Sequence, residues 1–521
     1  MTAMTSDRIL LLLSELHPYQ NVALAVFAAV ALWAALSVVV GSRGQRLPPG
    51  PRSWPLFGSL HLLGALPHQS LTNLAHQYGP LMSIRLGSSL YVVASTPEMA
   101  KALLQTHDSI FASRPTIAAT THLLFDNSDL AFAPYGPYWK LIRRVCLNHA
   151  FHPKHLHSYA PIRLQESREL LRNVNRSCAA HEPVPVRLRL QETANNIISL
   201  ITLSKKYTEM SSADSSHDMI VLIEEIMFLL GVPNLGDFIP SLAWMDLQGY
   251  EKRMKAARRK VQEAMGEIIQ QRRAAHASQA PAPDSPHEDL LDVLLAAASD
   301  ANSEVRITDD NITAVMMDMY LGGTGTIAIT AEWALAELLV NPEVLKKVQE
   351  EIDRVVGRER VVEEEDVEEL PYLRAVVKET FRLHPVAPLL VPREAMEACT
   401  MGGYHLPART CAYVNVYAVG RDGGTWEEPL AFRPERFVGS DVEESKGQHF
   451  QLLPFGGGRR RCVALELGLL NVRLFLARLL QAFEWSPADK LDMTEVFGLN
   501  VMLAQLLTAR VLPRMSPALY M

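Results

Sequence analysis

"PFGGGRRRCVA", residues 454–464, sets one cysteine, Cys462, behind three glycines and three arginines. A thiol there has five possible uses: core packing, a disulfide, a zinc site, nucleophilic catalysis, or ligation of the iron in a prosthetic group. The 521-residue chain holds five cysteines: Cys146, Cys178, Cys399, Cys411 and Cys462. An odd number with no C-x-x-C pair is a poor basis for a disulfide framework or a zinc site. A nucleophilic cysteine wants a histidine beside it and an oxyanion hole, and no sequence motif supplies that pairing.

Hydrophobic residues make up 48% of the chain and charged residues 21%, enough for a sizeable core. The net charge of −7 gives no sign of nucleic-acid binding. Residues Val22–Val40, "VALAVFAAVALWAALSVVV", carry no charge over 19 residues. That length crosses ~30 Å of hydrocarbon as a helix, whereas a cleaved signal peptide would have a shorter apolar region and a small-residue cleavage site. Asp7, Arg8 and Glu15 precede the run, and Arg43 and Arg46 follow it. The positive-inside bias then places residues 1–21 across the membrane and everything after Arg43 in the cytosol, where unpaired cysteines persist. Next comes "LPPGPRSWPLFG", 47–58, within a proline-rich hinge spanning 41–58. Its prolines forbid helix and make a stiff neck.

Beyond the neck, "LMSIRL" and "LYVVAS" (81–86 and 90–95) around "GSS" predict a β-hairpin. Helical periodicity covers 137–150, 161–175, 250–273, 309–340, 342–356, 371–384 and 463–482. The Pro/Ala/Ser-rich stretch 274–289 predicts a surface loop. Residues 59–521 therefore form one mainly helical domain with small sheets. Residues 309–340, "DDNITAVMMDMYLGGTGTIAITAEWALAELLV", are apolar on nearly every face, so this helix is buried, with Asp309 or Asp310 as its cap. Gly322, Gly323 and Gly325 interrupt it. Each costs roughly 1 kcal/mol relative to alanine in a helix interior, which points to a close backbone approach or a local distortion there. The Thr326 hydroxyl is placed to bond its own i−4 carbonyl.

"KETFRLHP" (378–385) places Glu379 and Arg382 at i, i+3, "FRPERF" adds Arg436, "VPRE" adds Arg393, and "YWKLIRR" sets Trp139 and Arg143 one turn apart. Taken singly these are surface charges, and a helical pair is worth only ~0.2–0.5 kcal/mol. Several lone arginines in apolar contexts, with Arg460, point instead to an internal anion. Haem satisfies these features together: it is flat, needs an axial ligand and carries two propionates. Cys462 precedes a helix, whose N-terminal amides favour thiolate. Thiolate ligation donates electron density to iron and promotes O–O cleavage.

"FGGGRRRCVA" resembles the haem-binding signature of the cytochromes P-450, F-x-x-G-x-R-x-C-x-G/A, at Phe455, Gly458, Arg460, Cys462 and Ala464. "ETFR" matches the family's E-x-x-R pair, "FRPERF" the element that completes a salt-bridge triad, and "YGPYWKLIRR" the W-x-x-x-R helix. The four motifs stand in the family's order, and the likeness runs over about residues 45–515. Anchor and neck are similar to those of the plant endoplasmic-reticulum class. The resemblance implies haem b with Cys462 as axial ligand and Trp139, Arg143, Arg393 and Arg460 at the propionates. It implies Glu379, Arg382 and Arg436 as the triad behind the haem, and electrons from NADPH through a flavoprotein reductase.

One motif departs from the family. The long helix usually reads A/G-G-x-D/E-T-T/S and here reads "GGTGTI": Gly322, Gly323 and Thr326 fit, but Gly325 replaces the acid and Ile327 the last hydroxyl. In the family, acid and threonine deliver protons to iron-bound dioxygen. Asp318, two turns before Gly325, is the substitute relay expected from the sequence. The missing acid also admits relatives that rearrange or dehydrate fatty-acid hydroperoxides, and a non-enzymatic haem protein; retained Thr326 favours monooxygenation. Segments Thr116–Phe125, Met316–Thr326, Val386–Leu390 and Phe497–Met502 correspond to pocket walls in relatives and are mostly apolar, implying a lipophilic substrate. Residues 234–255 look like those of flavonoid 3′-hydroxylases and hydroxycinnamoyl-ester hydroxylases. Residues 341–364 are similar to in-chain fatty-acid hydroxylases. The reading favours an aromatic flavonoid or phenylpropanoid scaffold over a fatty acid.

Overall fold

The computed structural model describes residues 46–206, 215–278 and 289–520. The expected anchor 22–40, the segment before it and the start of the hinge lie outside the described residues.

Helices of ten or more residues, numbered in chain order, are α1 (Pro67–Tyr78), α2 (Pro137–His149), α3 (Ala160–Ala179), α4 (Val186–Leu203), α5 (Ser215–Gly231) and α6 (Tyr250–Ala277). Then follow α7 (Leu290–Ser299), α8 (Asp309–Gly323), α9 (Gly325–Val340), α10 (Pro342–Val355), α11 (Pro371–Leu383) and α12 (Leu465–Ala482). Proline opens α1, α2, α10 and α11, where its missing N–H costs nothing. The strands are short: β1 (Leu81–Leu86), β2 (Ser89–Ala94), β3 (Val184–Pro185), β4 (Arg393–Glu394), β5 (Cys399–Met401) and β6 (Tyr404–Leu406). The rest are β7 (Cys411–Val414), β8 (Phe483–Pro487), β9 (Glu495–Phe497), β10 (Val501–Leu503) and β11 (Thr508–Pro513).

The hairpin forms with Leu81 opposite Ala94. It extends through β7 and β4 into a four-stranded sheet of order β1-β2-β7-β4, in which β2 and β7 run parallel. A three-stranded sheet (β3-β11-β8) and two pairs complete the β structure. The helical core centres on α9, which packs against α4 and α12, and on α8 against α4. Trp333 of α9 is fully buried, its ring 4.0 Å from and nearly parallel to His384.

The expected 32-residue helix is two. Thr324, with φ −116° and ψ −68°, separates α8 from α9. A Cβ on Gly323 would lie 2.6 Å from Ile198 Cδ1, so this glycine lets α4 come close. Both close approach and distortion therefore occur, on successive residues. Thr308, not Asp309 or Asp310, caps α8. Its extended backbone puts the hydroxyl in reach of the Asn311 amide, and Asn311 Oδ1 accepts from Thr308 N at 2.8 Å. Helix α6 runs on to Ala277, past the expected end at 273, because the alanines that read as loop composition are good helix formers.

Candidate functional site

The loop before α12 is shaped by its glycines. Gly456 and Gly458 have φ of +68° and +65°, open to glycine without strain. A Cβ on Gly458 would also fall 2.4 Å from the Leu104 carbonyl oxygen. The loop closes through Cys462 N donating to Phe455 O at 3.1 Å. The Phe455 ring meets Phe381 of α11 edge-on at 5.5 Å. Ala464 is the N-cap residue of α12. Burial raises the Cys462 thiol, while the Ala464 amide, Arg143 and Arg461 pull it down. Although enclosed by protein, Cys462 keeps accessible surface, which distinguishes it from fully packed Cys146.

Arginines gather around this loop. Arg460 donates from Nε to Ala112 O at 2.7 Å and from Nη2 to Ala133 O at 2.5 Å, with its guanidinium 4.2 Å from the Trp139 ring centre. Its Nη1 is buried with no partner among the described residues. Burial, then neighbouring Arg393, lowers its pKa to about 9. Arg143 donates from Nη2 to Arg461 O at 2.8 Å and lies over the same Trp139 ring. The Trp139 indole N–H goes to Leu130 O at 3.0 Å. Arg393 is held by Asp108 at 3.0 Å and by Gly457 O at 2.6 Å, so its charge is already balanced by protein.

Arg114 escaped the sequence reading. It is buried, donates to Ala131 O, Val391 O and Pro392 O, and has no carboxylate within ion-pair distance among the described residues. Desolvation, then Arg393 and Arg460, pushes its pKa well down. Its signal was present: "FASRPT" is a lone arginine in an apolar setting, the criterion that selected the others.

Asp318 has a different task from the relay expected of it. Its carboxylate accepts from Leu130 N at 2.6 Å and Ala131 N at 3.1 Å, so it fastens the 129–131 loop to α8. Burial and the adjacent Asp129 carboxyl raise its pKa well above the usual range. Asp129 is itself raised to about 6, mainly by burial, against the Phe132 amide and Arg114. A carboxyl raised above its unfolded value of ~3.9 contributes fully below that value, and the contribution fades as pH climbs through the folded value. The melting temperature should therefore fall between pH 5 and 7. In Asp129→Asn, which keeps the acceptor for Phe132 N, that fall should be shallower, measured by scanning calorimetry. The same loop offers Leu130 O to Trp139, Ala131 O to Arg114 and Ala133 O to Arg460.

On the opposite side, Thr326 Oγ1 donates to Gly322 O at 2.7 Å. Gly322 has nothing within 4 Å of where a Cβ would stand. Behind α11, Glu379 and Arg382 are both fully buried. Arg382 Nε meets Oε2 at 2.7 Å, and Oε1 also accepts from Arg436 Nε at 3.0 Å.

Buried guanidiniums without carboxylate partners carry a large desolvation cost unless an anion joins them. The unpaired Arg460 Nη1, unbalanced Arg114, and a thiol between Arg143 and Arg461 fit a flat dianion with a sulfur-seeking metal. Haem is that group, and the class is a haem-thiolate protein. Comparison with known proteins carries the assignment further. The family model for cytochrome P-450 matches residues 48–508. A flavonoid 3′-monooxygenase of Crocosmia x crocosmiiflora is 40% identical over 91% of this chain and 94% of its own length. A flavonoid 3′,5′-hydroxylase of Campanula medium is 39% identical over 92% and 94%. A 3,9-dihydroxypterocarpan 6A-monooxygenase of Glycine max is 40% identical over 91% and 94%. A zebra fish cytochrome P-450 with progesterone superposes with TM-score 0.74 at 28% identity, covering 86% of this chain and 99% of that one. The chain belongs to the cytochrome P-450 family and is a haem-binding monooxygenase.

Proposed function

We propose that the protein hydroxylates an oxygenated aromatic plant metabolite of flavonoid or phenylpropanoid type at the endoplasmic-reticulum surface, with electrons from NADPH through a reductase. The observation that carries this is identity near 40% to several flavonoid-scaffold hydroxylases across almost the whole chain. Haem, bound through Cys462, would supply activation of dioxygen and insertion of one oxygen atom into a substrate C–H bond.

The chain's own residues do the rest. Cys462 ligates the iron. Arg114, Arg143 and Arg460 neutralise the propionates, Trp139 stacks under two of these guanidiniums, and Arg393 braces the loop through Gly457 O. Met316, Met319, Leu389 and Val501 are buried along the four apolar wall segments and exclude water from the reacting carbon. Thr326 holds a hydroxyl proton at the Gly322 carbonyl, where the turn is open to a polar guest. Thr326→Ala removes that proton. Product formed per NADPH should fall by roughly 10–100-fold while NADPH is still consumed and hydrogen peroxide accumulates. Coupling equal to the parent's would take Thr326 out of the proton path.

Exposed Trp54, Leu56 and Phe57 of the neck lie near exposed Trp244, Met245 and Leu247. The two segments are tied through Gly87 N to Phe57 O at 3.1 Å and Ser88 N to Phe238 O at 2.9 Å. An apolar strip with two tryptophans suits a bilayer interface and supports a membrane-facing entrance. The deciding experiment uses purified protein with reductase, NADPH and oxygen against a panel of flavonoids and medium-chain fatty acids. Binding is read as the low-to-high-spin Soret shift, and turnover as product. Flavonoid binding and hydroxylation support the reading; a response to fatty acids alone overturns it.

A further inference from the structure

Asn500 lies in the turn between β9 and β10 and is 7% exposed. Its side-chain Nδ2 is buried with no hydrogen-bond partner among the described residues. The turn around it is fixed: Gly498 N donates to Asn500 O at 3.2 Å and Val501 N to Val386 O at 2.8 Å. The amide is therefore held where it is rather than free to swing out.

What it faces is Gly325. A Cβ on that glycine would stand 3.7 Å from Asn500 Nδ2 and 3.8 Å from Met227 Cε. Those are ordinary contact distances, so an alanine would fit and an aspartate would bring an acceptor to the amide. Gly325 supplies no side-chain acceptor, and Met227 only a weak thioether. Leaving a buried amide N–H unpaired costs about 1–3 kcal/mol. Such a donor in an otherwise apolar wall, one residue from Thr326, selects for a guest bearing oxygen.

We propose that Gly325 and Asn500 form a polar subsite that takes a carbonyl or hydroxyl oxygen of the substrate, with Asn500 Nδ2 as donor. The glycine at the position where relatives carry an acid makes the room. The subsite then discriminates oxygenated aromatic scaffolds from unfunctionalised acyl chains. This rests on the reading that the pocket runs along α8, α9 and the β9–β10 turn.

The test uses full-length holoprotein and two probes of one skeleton, flavone with its ring carbonyl and flavan without it, titrated by the spin shift. Asn500→Leu should weaken flavone binding about five- to tenfold and leave flavan unchanged. Gly325→Asp, whose carboxylate would occupy the donor, should produce the same selective loss. Flavone affinity within twofold of the parent in both variants, or equal losses for both probes, overturns the subsite. A second measurement needs no ligand. Gly325→Asp should raise the melting temperature in the parent background, relative to the same change made in Asn500→Leu. Absence of that coupling overturns the geometry itself. Coupling with unchanged flavone affinity means that water alone fills the niche, which also overturns the proposal. No spin shift by any flavonoid in the parent would instead defeat the substrate reading, with the thermal cycle still deciding the niche.

Discussion

Cys462→Ala yields a folded protein with no thiolate-type carbon-monoxide band near the family's characteristic wavelength and with NADPH-dependent hydroxylation at background. No other thiol is placed to substitute. Burial pushes Cys146 and Cys411 up to about 12, and Cys399 is raised as well. Each sits in ordinary packing, without an arginine pair and an amide converging on the sulfur. At Cys462 the Ala464 amide, Arg143 and Arg461 all favour thiolate, opposing desolvation. Iron binding completes that balance, because a metal deprotonates its thiol ligand outright. Cys462→Ser is the companion variant: it keeps shape and volume but loses the soft donor, so haem content falls and the characteristic band is absent. Difference spectroscopy after dithionite and carbon monoxide measures both. A band of parental position in either variant would place the ligand elsewhere and undo the site.

How much of this was legible in the sequence depended on whether a residue's role is local. The Cys462 loop, the E-x-x-R pair and the W-x-x-x-R helix are compact patterns, so their spacing alone places neighbours together. Helix α4 was missed because "TANNIISLITL" is rich in β-branched residues that read equally as strand. Only its burial against α8 and α9 decides for helix. The break at Thr324 was half legible: three glycines announce a defect, but the division of labour among Gly322, Gly323 and Gly325 depends on Ile198, Asn500 and Met227, far away in sequence. Asp318 was misread for the same reason. Helical periodicity places it on the face of Gly325, yet its acceptors are filled by amides of a loop nearly 190 residues earlier, at Leu130 and Ala131.

Arg382→Ala should cost about 3–5 kcal/mol, the usual result of stripping one partner from a buried ion pair. At roughly 2–4 °C per kcal/mol for a domain of this order or smaller, the melting temperature should drop by about 10 °C. The reason is the number of groups left stranded. Arg382 gives Nε and Nη2 to the two oxygens of Glu379, at 2.7 and 2.8 Å. It also donates Nη1 to Gly420 O at 2.5 Å and Pro429 O at 2.6 Å, and Nη2 to Ala431 O at 3.0 Å. Removing the guanidinium leaves three carbonyls short of a donor and a carboxylate with only Arg433 N and Arg436 Nε. The damage reaches the haem side through the neighbouring Phe381, whose ring supports Phe455 in the cysteine loop, so haem retention should fall with stability. Arg382→Lys discriminates charge from geometry. A single ammonium cannot span the carboxylate fork and three carbonyls on separate strands of loop, so it should recover less than half of the lost melting temperature. The double variant Glu379→Ala with Arg382→Ala should be less damaged than the sum of the two singles, because the stranded charge is gone. Full recovery with lysine would mean that net charge alone holds α11 against the 420–436 segment, and the planar five-donor role assigned to Arg382 would be wrong.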